Sequence, residues 1–177
     1  MSSDVPESSF RDHERAVGGV GPLGFAVITL SDTRTPETDR SGRWIREAVV
    51  QAGHAVVRYR VVRDETEAIR AELEAALADP AVAVIVTNGG TGISRRDCAF
   101  RVITEVLDER LEGFGELFRM LSYQEIGSAA MLSRAVGGVV RQKVVFALPG
   151  STAAVRLGME RLILPQAAHL YRELHKE

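Results

Sequence analysis

Cysteine is nearly absent from this 177-residue sequence, which contains only Cys98. A single thiol can form neither an internal disulfide nor a metal–thiolate cluster. The sequence also lacks a charge excess, because 22 lysines and arginines stand against 24 aspartates and glutamates, a formal net charge of -2. That balance argues against a nucleic-acid binder, which usually carries a basic surface. Long apolar stretches are missing too, so no segment is predicted to cross a membrane.

The first 21 residues differ in character from the rest of the chain. They are polar and lack the order of charged and then apolar residues that marks a secretion signal. We expect residues 1–21 to form a flexible arm and residues 22–177 to form a single domain. The chain is 45% hydrophobic and 26% charged, which is ordinary for a globular protein. A cytoplasmic location is expected, since a lone cysteine suits a reducing compartment.

Strand and helix patterns alternate along residues 22–177. Short apolar runs predict strands over residues 24–30, 56–62, 81–86 and 143–148, with the run at 81–86 at the centre of the sheet. Apolar residues at helical spacing predict helices over residues 44–52, 69–77, 99–109, 128–137 and 151–174, whereas residues 113–127 look less regular. The alternation predicts an α/β fold of three αβα layers, with a mostly parallel sheet and helices on both faces.

Polar residues follow each predicted strand. Ser31 and Asp32 follow the first strand, and Asp64 follows the second. The central strand runs into residues 87–92 (TNGGTG), and the last strand ends at residues 149–151 (PGS). In sheets of this type ligands bind outside the carboxyl ends of the strands. We therefore expect these four segments to gather at one rim and to form the binding site.

The glycine loop after the central strand suits an anion. Gly89, Gly90 and Gly92 have no Cβ, so their backbone N–H groups can point at phosphate oxygens. The hydroxyls of Thr87 and Thr91 can add further donors. The loop matches neither the P-loop nor the dinucleotide-binding glycine pattern. A plain tight turn after a buried strand is the alternative, and glycine clusters alone favour it.

Two aspartates at the rim have two possible roles. Asp64 and Asp97 are carboxylates on different loops, and Mg²⁺ is commonly held by one or two carboxylates with substrate phosphates and water. Arg95 and Arg96, just before Asp97, could contact phosphate. The alternative is that each aspartate is only the N-cap of the helix that follows it, which would stabilise that helix by about 1 kcal/mol.

Serines and other reactive side chains carry weaker signals. Ser151 and Ser41 each stand at a predicted helix start, where a serine caps the helix or the helix start binds phosphate. The histidines are scattered without ligand spacing and are assigned no role. Cys98 is expected to be buried and inert. Three methionines, Met120, Met131 and Met159, are expected in the core.

Several segments, in order, resemble the MogA/MoaB family, the molybdopterin adenylyltransferases of molybdenum cofactor biosynthesis. The segment at residues 87–97 (TNGGTGISRRD) resembles the glycine-rich signature of that family. Five further matches are residues 28–32 (ITLSD), 39–42 (DRSG), 113–122 (GFGELFRMLS), 133–135 (SRA) and 148–151 (LPGS). The resemblance as a whole covers about residues 24–164, and the run at 113–122 is most similar to the MoaB branch.

The resemblance implies that AMP is transferred from ATP to the terminal phosphate of molybdopterin, with Mg²⁺ and release of pyrophosphate. It implies Asp64 and Asp97 as catalytic and metal-binding residues, and a homotrimer or a dimer of trimers, with other proteins of the pathway as partners. Nucleotide or pterin phosphate would bind at the rim, at Ser31, Asp32, Ser41, Thr87, Gly89, Gly90, Thr91, Gly92, Pro149, Gly150 and Ser151. Asn88 stands where many relatives have threonine, and we expect it to tune binding.

Three other functions remain open on the sequence alone. The first is a MoaB-type protein that binds molybdopterin without transferring AMP, which retention of Asp64 argues against. The second is a nucleotide hydrolase related to the MoaB-like domain of competence-damage proteins, which usually carry a second domain. The third is a flavodoxin-like flavin binder, for which aromatic residues near the rim are too sparse.

Overall fold

A computed structural model describes residues 20–94 and 97–176. The predicted phosphate contacts of Arg95 and Arg96, and the predicted arm up to residue 19, lie outside the described residues. Among the described residues, no helix has the length and apolar character that a membrane span requires.

Six strands form one mixed sheet. They are β1 (Gly24–Leu30), β2 (Ala55–Val62), β3 (Val84–Asn88), β4 (Glu109–Arg110), β5 (Val136–Val140) and β6 (Lys143–Leu148). The order across the sheet is β2-β1-β3-β6-β5-β4. The strands β2, β1, β3 and β6 are parallel, while β5 is antiparallel to both β6 and β4. The predicted central strand is confirmed as β3, and β2 lies at one edge of the sheet.

Helices cover both faces of the sheet. They are α1 (Arg40–Gln51), α2 (Thr66–Ala78), α3 (Ala99–Val106), α4 (Glu112–Ile126), α5 (Thr152–Gly158) and α6 (Leu164–Leu174). A 3-10 turn (Gly127–Leu132) follows α4, and a π turn (Met159–Ile163) joins α5 to α6. One apolar core packs α1, α4, α5 and α6 on one face, and a second core packs α2 and α3 on the other. The predicted three-layer α/β fold is confirmed.

Alternate residues of the central strands point into the two cores. Along β1, Phe25 and Val27 enter the first core, and Ala26 and Ile28 enter the second. Both faces are buried, which explains why β1 reads as a continuous apolar run rather than an alternating one. The chain passes from β1 outward to β2 and then back to β3 on the other side of β1. The strand order therefore switches between β1 and β3, where a crevice opens at the carboxyl ends of the strands.

Three predicted segments were wrong between β3 and β6. The helix predicted over residues 99–109 ends at Val106, and Glu109–Arg110 forms β4 instead. Residues 113–127, predicted as irregular, lie almost wholly in α4, whose buried Phe114 and Phe118 outweigh the low helix propensity of two glycines. The helix predicted over residues 128–137 is the 3-10 turn followed by β5.

The methionine prediction held for one residue of three. Met159 is fully buried at 0% exposure, whereas Met120 and Met131 are exposed at 50% and 79%. The two exposed methionines lie on α4 and on the 3-10 turn after it, and they belong to an exposed apolar surface rather than to the core.

His54 generates a pH-dependent prediction. Its Nδ1 accepts a hydrogen bond from the Leu23 N–H at 3.2 Å, and its ring stacks on Phe25 at 5.3 Å. Burial lowers the pKa of His54 below its ordinary value of 6.5. Protonation therefore favours the unfolded chain, so this contribution to stability is present above pH 6.5 and is lost as the pH falls towards the folded pKa.

We expect His54→Asn to reduce the fall in the free energy of unfolding between about pH 7 and pH 5, a window set by the ordinary histidine pKa. The asparagine oxygen can accept the Leu23 hydrogen bond but does not titrate. Urea unfolding at a series of pH values tests this. Parallel profiles for the variant and the wild-type protein would contradict it.

Candidate functional site

The carboxyl ends of the four parallel strands meet at one rim, as predicted. The loop after β1 begins with the Ser31 N–H donating to the carbonyl of Val62 at the end of β2, at 2.8 Å. The loop after β3 begins with the Gly89 N–H donating to the carbonyl of Leu148 at the end of β6, at 3.0 Å. Each loop is thus anchored to the neighbouring strand before it turns out of the sheet.

The glycine loop passes so close to its neighbours that side chains are excluded. Gly89 and Gly90 have φ values of +100° and +61°, which favour glycine. A Cβ on Gly89 would collide with the carbonyl of Leu30, and one on Gly150 would lie 3.1 Å from the Gly89 Cα. The Gly89 N–H serves the sheet, but the described residues provide no acceptor for the N–H groups of Gly90 and Gly92. Those two groups can bind an anion.

Asp64 lies half-buried against the middle of this loop. A Cβ on Gly90 would lie only 2.6 Å from the Asp64 Oδ2, so the missing side chain makes room for the carboxylate. The Asp64 Oδ1 accepts hydrogen bonds from the Cys98 N–H at 3.3 Å and from the Cys98 thiol at 3.2 Å. The Asp64 N–H donates to Asp32 Oδ1 at 3.2 Å. Asp32 therefore helps to hold the backbone that carries Asp64.

Asp97 lies against the last glycine of the same loop. A Cβ on Gly92 would lie 2.6 Å from the Asp97 Oδ2, which accepts a hydrogen bond from the Ser94 N–H at 3.0 Å. The two acids thus contact Gly90 and Gly92, two residues apart in one loop. Neither is a helix N-cap, because Glu65 caps α2 and Cys98 caps α3. The capping alternative is excluded for both.

Cys98 stays protonated beside Asp64. Its side chain is only 7% exposed, and its Sγ lies 3.3 Å from the Asp64 carbonyl oxygen as well as 3.2 Å from Oδ1. Burial first, and then the hydrogen bond to Asp64, raise the pKa of the Cys98 thiol. The group is therefore a hydrogen-bond donor at neutral pH rather than a thiolate nucleophile. The expectation that Cys98 is buried is confirmed.

A buried carboxylate that the sequence analysis did not assign to the site, Asp39, supports the other side of the rim. Its Oδ2 accepts hydrogen bonds from Thr29 Oγ1 at 2.5 Å and from the Tyr59 hydroxyl at 2.9 Å, and its Oδ1 accepts from the Gly42 N–H at 2.9 Å. Asp39 is 0% exposed, so these donors offset the loss of hydration. Burial, followed by the bond to Asp39, raises the pKa of Tyr59 to about 12, which keeps its hydroxyl a donor.

Asn88 extends this network into the sheet. Its Nδ2 donates to Thr29 Oγ1 at 2.8 Å. The orientation of the amide follows from the chemistry, because the single Thr29 hydroxyl proton is given to Asp39 and the oxygen can only accept a second bond. The Asn88 Oδ1 is buried and has no partner among the described residues. Asn88 does donate, but to the protein rather than to the rim.

The turn after β6 is held by two donors on one carbonyl. Ser41 Oγ donates to the Gly150 carbonyl at 2.9 Å, and Arg34 Nη2 donates to the same oxygen at 3.0 Å. Arg34 also lies 3.6 Å from Asp39 Oδ1. Arg34 therefore connects the Asp39 network to the turn at Gly150. Arg34 was missed because its partner is 116 residues away along the chain.

Arg134 clamps the glycine loop from outside. Its Nε donates to the Thr91 carbonyl at 2.9 Å, its Nη2 donates to the Gly92 carbonyl, and its guanidinium lies 4.8 Å above the Phe100 ring. Because Arg134 binds the carbonyls of Thr91 and Gly92, the glycine loop is held between this cation and the carboxylates of Asp64 and Asp97. Arg134 lies in the segment at 133–135, where the family resemblance was the signal that could have found it.

Several predicted site residues have structural partners within the protein. Thr87 is 0% exposed, and its hydroxyl donates to the Phe146 carbonyl at 3.3 Å, so it is not brought to the rim. Ser31 Oγ accepts from the Arg34 N–H at 3.1 Å and shapes the first loop. Ser151 caps α5 by accepting from the Ala154 N–H at 3.2 Å. Pro149 precedes Gly150 in the turn that Ser41 holds.

The donor set suits a cation that shares its coordination with a ligand. In residues 20–94 and 97–176, no group of three or more histidine, cysteine, aspartate or glutamate side chains is arranged to hold a metal. A closed site of the structural zinc type is therefore absent from that part of the chain. Mg²⁺ is commonly held by one or two carboxylates when substrate phosphates and water complete its coordination, and two half-buried carboxylates lie against the glycine loop. The residues present fit that ion.

An open cavity of about 370 Å³ adjoins Asp64. Its lining combines acids with two cations and is formed by Asp32, Arg63, Asp64, Glu65, Thr66, Glu67, Cys98 and Arg101. Two other cavities of about 420 Å³ lie at the amino-terminal edge of the sheet and beside α4. The smaller cavity is the functional candidate because it alone of these three is lined by Asp64 and by Cys98, which contacts Asp64.

The fold and the rim together define an α/β protein with a candidate site for an anionic ligand at the carboxyl ends of its strands. The sequence places it more narrowly. Residues 26–169 match the family described as a probable molybdopterin binding domain.

The chain belongs to the molybdenum cofactor biosynthesis protein B (MoaB) family. It is 50% identical over 152 residues to molybdenum cofactor biosynthesis protein B of Bacillus cereus, which covers 85% of this chain and 90% of that protein. A crystal structure of a molybdenum cofactor biosynthesis protein B matches with a TM-score of 0.86 and 49% identity over 88% of this chain and 98% of the other. The tungsten cofactor synthesizing protein MoaB of Pyrococcus furiosus matches with a TM-score of 0.81 and 36% identity over 89% and 100%.

The close approach at Gly90 generates a stability prediction. We expect Gly90→Ala to destabilise the protein more than Gly53→Ala does. Both residues have positive φ, at +61° and +81°, so both variants suffer the backbone strain of about 1–2 kcal/mol. An added Cβ at residue 90 also lies 2.6 Å from Asp64 Oδ2 and 2.7 Å from the Ala99 Cβ, whereas at residue 53 the described residues leave open space.

The extra loss should be about 1–3 kcal/mol, the usual cost of overpacking. Urea unfolding of the two variants beside the wild-type protein measures it. Equal losses at the two positions would show that the carboxylate does not rest on Gly90.

Proposed function

We propose that this chain transfers AMP from ATP to the terminal phosphate of molybdopterin, in molybdenum cofactor biosynthesis. The observation that carries the proposal is the position of two carboxylates, Asp64 and Asp97, against Gly90 and Gly92 of one glycine loop. Such a pair repels phosphate unless a cation lies between them, so the arrangement suits a magnesium-bound triphosphate. Membership of the MoaB family supports molybdopterin as the second substrate.

The residues that would hold Mg²⁺ are Asp64, through Oδ2, and Asp97. The Asp64 Oδ1 is already occupied by Cys98, so Oδ2 is the oxygen that faces the loop. When bound, the ion supplies positive charge to the triphosphate oxygens. The N–H groups of Gly90 and Gly92 add donors for phosphate oxygens, because they have no acceptor among the described residues and Arg134 holds the loop through its carbonyls.

The reaction needs alignment more than it needs a base. An oxygen of the molybdopterin phosphate forms a bond to the α-phosphorus of ATP, and the bond from that phosphorus to the bridging oxygen breaks. Pyrophosphate leaves with the bridging oxygen. A phosphate monoester has a second pKa of about 6, so the attacking oxygen is largely ionised at neutral pH. The protein therefore contributes fixed donors and a held geometry rather than proton removal.

The substitutions Asp64→Asn and Asp97→Asn should each lower the rate of AMP transfer by about a hundredfold, the cost typical of losing one preorganised electrostatic contact. Asparagine keeps the shape of the side chain but removes the charge. Adenylylated molybdopterin and pyrophosphate are measured after incubation with ATP and Mg²⁺. Asp108→Asn is the matched control, because Asp108 accepts the Arg141 N–H at the β5–β6 turn, at the opposite edge of the sheet.

Two outcomes would contradict the proposal. A wild-type protein that retains molybdopterin but forms no product would be the binding protein that performs no transfer. Variants of Asp64 and Asp97 that transfer AMP as fast as Asp108→Asn would remove the acids from the chemistry.

An exposed apolar surface supports assembly of the chain with itself. It lies on α4 and the 3-10 turn after it and consists of Leu117, Met120, Tyr123, Ile126, Met131 and Leu132, which are 46% to 79% exposed. Contiguous apolar surface of this kind commonly marks an interface. We propose that it joins copies of the chain into the homotrimer that the family resemblance implies, with a dimer of trimers as the larger form.

We expect Tyr123→Glu to dissociate the assembly, since a buried unpaired charge is strongly unfavourable at an interface. Val50→Glu is the control, because Val50 is 62% exposed on α1, outside the apolar surface. The mass in solution, from light scattering after size exclusion, decides the matter. The proposal fails if the wild-type protein is monomeric or if both variants keep the wild-type mass.

A further inference from the structure

Cys98, the N-cap residue of α3, uses its side chain to hydrogen-bond to Asp64, the candidate catalytic acid. An N-cap side chain usually accepts a hydrogen bond from the first turn of its own helix, which is why serine, threonine, aspartate and asparagine are preferred there. Cys98 caps α3 without such a bond in the described part of the chain. Its thiol is directed instead to Asp64, 34 residues earlier in the chain.

The contact fixes one of the two carboxylate oxygens. A thiol has one proton, and the Cys98 Sγ lies 3.2 Å from the Asp64 Oδ1 and 3.3 Å from the Asp64 carbonyl oxygen. The Thr66 side chain also hydrogen-bonds to the sulfur, in the sense that lowers the pKa of the thiol. The Cys98 N–H also donates to Oδ1, at 3.3 Å. Oδ1 is thereby held on α3, and rotation of the carboxylate is restricted. Oδ2 remains on the side of the glycine loop, against Gly90.

The same residue joins the two acids. Asp97 directly precedes Cys98, so the segment that carries the Asp97 carboxylate also hydrogen-bonds to the Asp64 carboxylate. Ala99, the next residue, also packs against the position that a Gly90 Cβ would take. Asp64 belongs to a different loop, the one after β2. The contacts that residues 97–99 make with Asp64 and Gly90 therefore help to set the distance between the two acids.

We propose that Cys98 is a positioning residue that orients Asp64, holding Oδ1 so that Oδ2 is presented to the cation and the ligand. The inference rests on the proposed function and adds a residue that acts through Asp64 rather than on substrate.

The hydrogen bond itself can be observed without any activity. Cys98 is the only cysteine of the 177 residues, so the S–H stretching band in the infrared spectrum has a single source. In the wild-type protein we expect the band at the lowered frequency of a thiol bonded to a carboxylate. Asp64→Ala should raise the frequency, and Asp97→Ala should leave it unchanged. Asp64→Asn, which leaves only a neutral acceptor, should give an intermediate frequency if Asp64→Ala fails to fold.

An S–H frequency that is the same in the wild-type protein and in the Asp64 variants would overturn the proposal, because the thiol would then donate elsewhere.

The positioning role is tested with two Cys98 variants. Cys98→Ala should lower kcat for AMP transfer by roughly fivefold, the factor that corresponds to one modest hydrogen bond, with the KM for ATP nearly unchanged. Cys98→Ser should restore most of the rate, because the hydroxyl can donate to Oδ1. A purely structural role would instead lower the unfolding free energy of both variants without separating their kcat values.

Mn²⁺ binding in the presence of ATP, followed by electron paramagnetic resonance, separates failure of the inference from failure of the proposed function. If the wild-type protein forms no product, the proposed function fails, and roughly fivefold weaker Mn²⁺ binding by Cys98→Ala alone still supports the inference, by the same hydrogen-bond estimate. Mn²⁺ binding and kcat equal to the wild-type values in Cys98→Ala would overturn it.

Discussion

The site depends on how closely the backbone of the glycine loop can approach the ends of the neighbouring strands. Gly89 lies under the carbonyl of Leu30 and against Gly150, and Gly90 lies against the carboxylate of Asp64. A Cβ at these positions would separate the loops by more than their hydrogen bonds allow. Because the backbone can approach so closely, four strand ends share one rim, and the N–H groups of Gly90 and Gly92, which have no acceptor among the described residues, lie beside two acids.

Two polar systems hold that rim from opposite faces of the sheet. On the first face the buried Asp39 gathers hydroxyl donors from β1 and β2 and, through Arg34, connects to the turn at Gly150. On the second face Cys98 holds Asp64 on α3. Burying a carboxylate without hydrogen-bond donors costs free energy, and the donors to Asp39 offset that cost in the folded protein. The preorganisation that the proposed phosphoryl transfer would require is thus present in the protein without a ligand.

The parts of this picture that depend on neighbouring residues in the chain were predictable from the sequence. The glycine loop, β6 and the acids that follow strands were all found. Features that depend on distant partners were not, since Asp39 meets its partner Tyr59 20 residues on and Cys98 meets Asp64 34 residues back. The strand β5 was missed because Gly137 and Gly138 weaken strand propensity, although Gly137 leaves the space that the Phe146 ring fills.

A crystal structure with Mn²⁺ and a non-hydrolysable ATP analogue tests the central claim most directly. The anomalous signal of Mn²⁺ locates the ion independently of how the nucleotide is fitted. The account predicts a peak bonded to Asp64 Oδ2 and to Asp97, with the triphosphate along the N–H groups of Gly90 and Gly92. A nucleotide bound at the amino-terminal edge of the sheet, or an ion that touches neither acid, would contradict it.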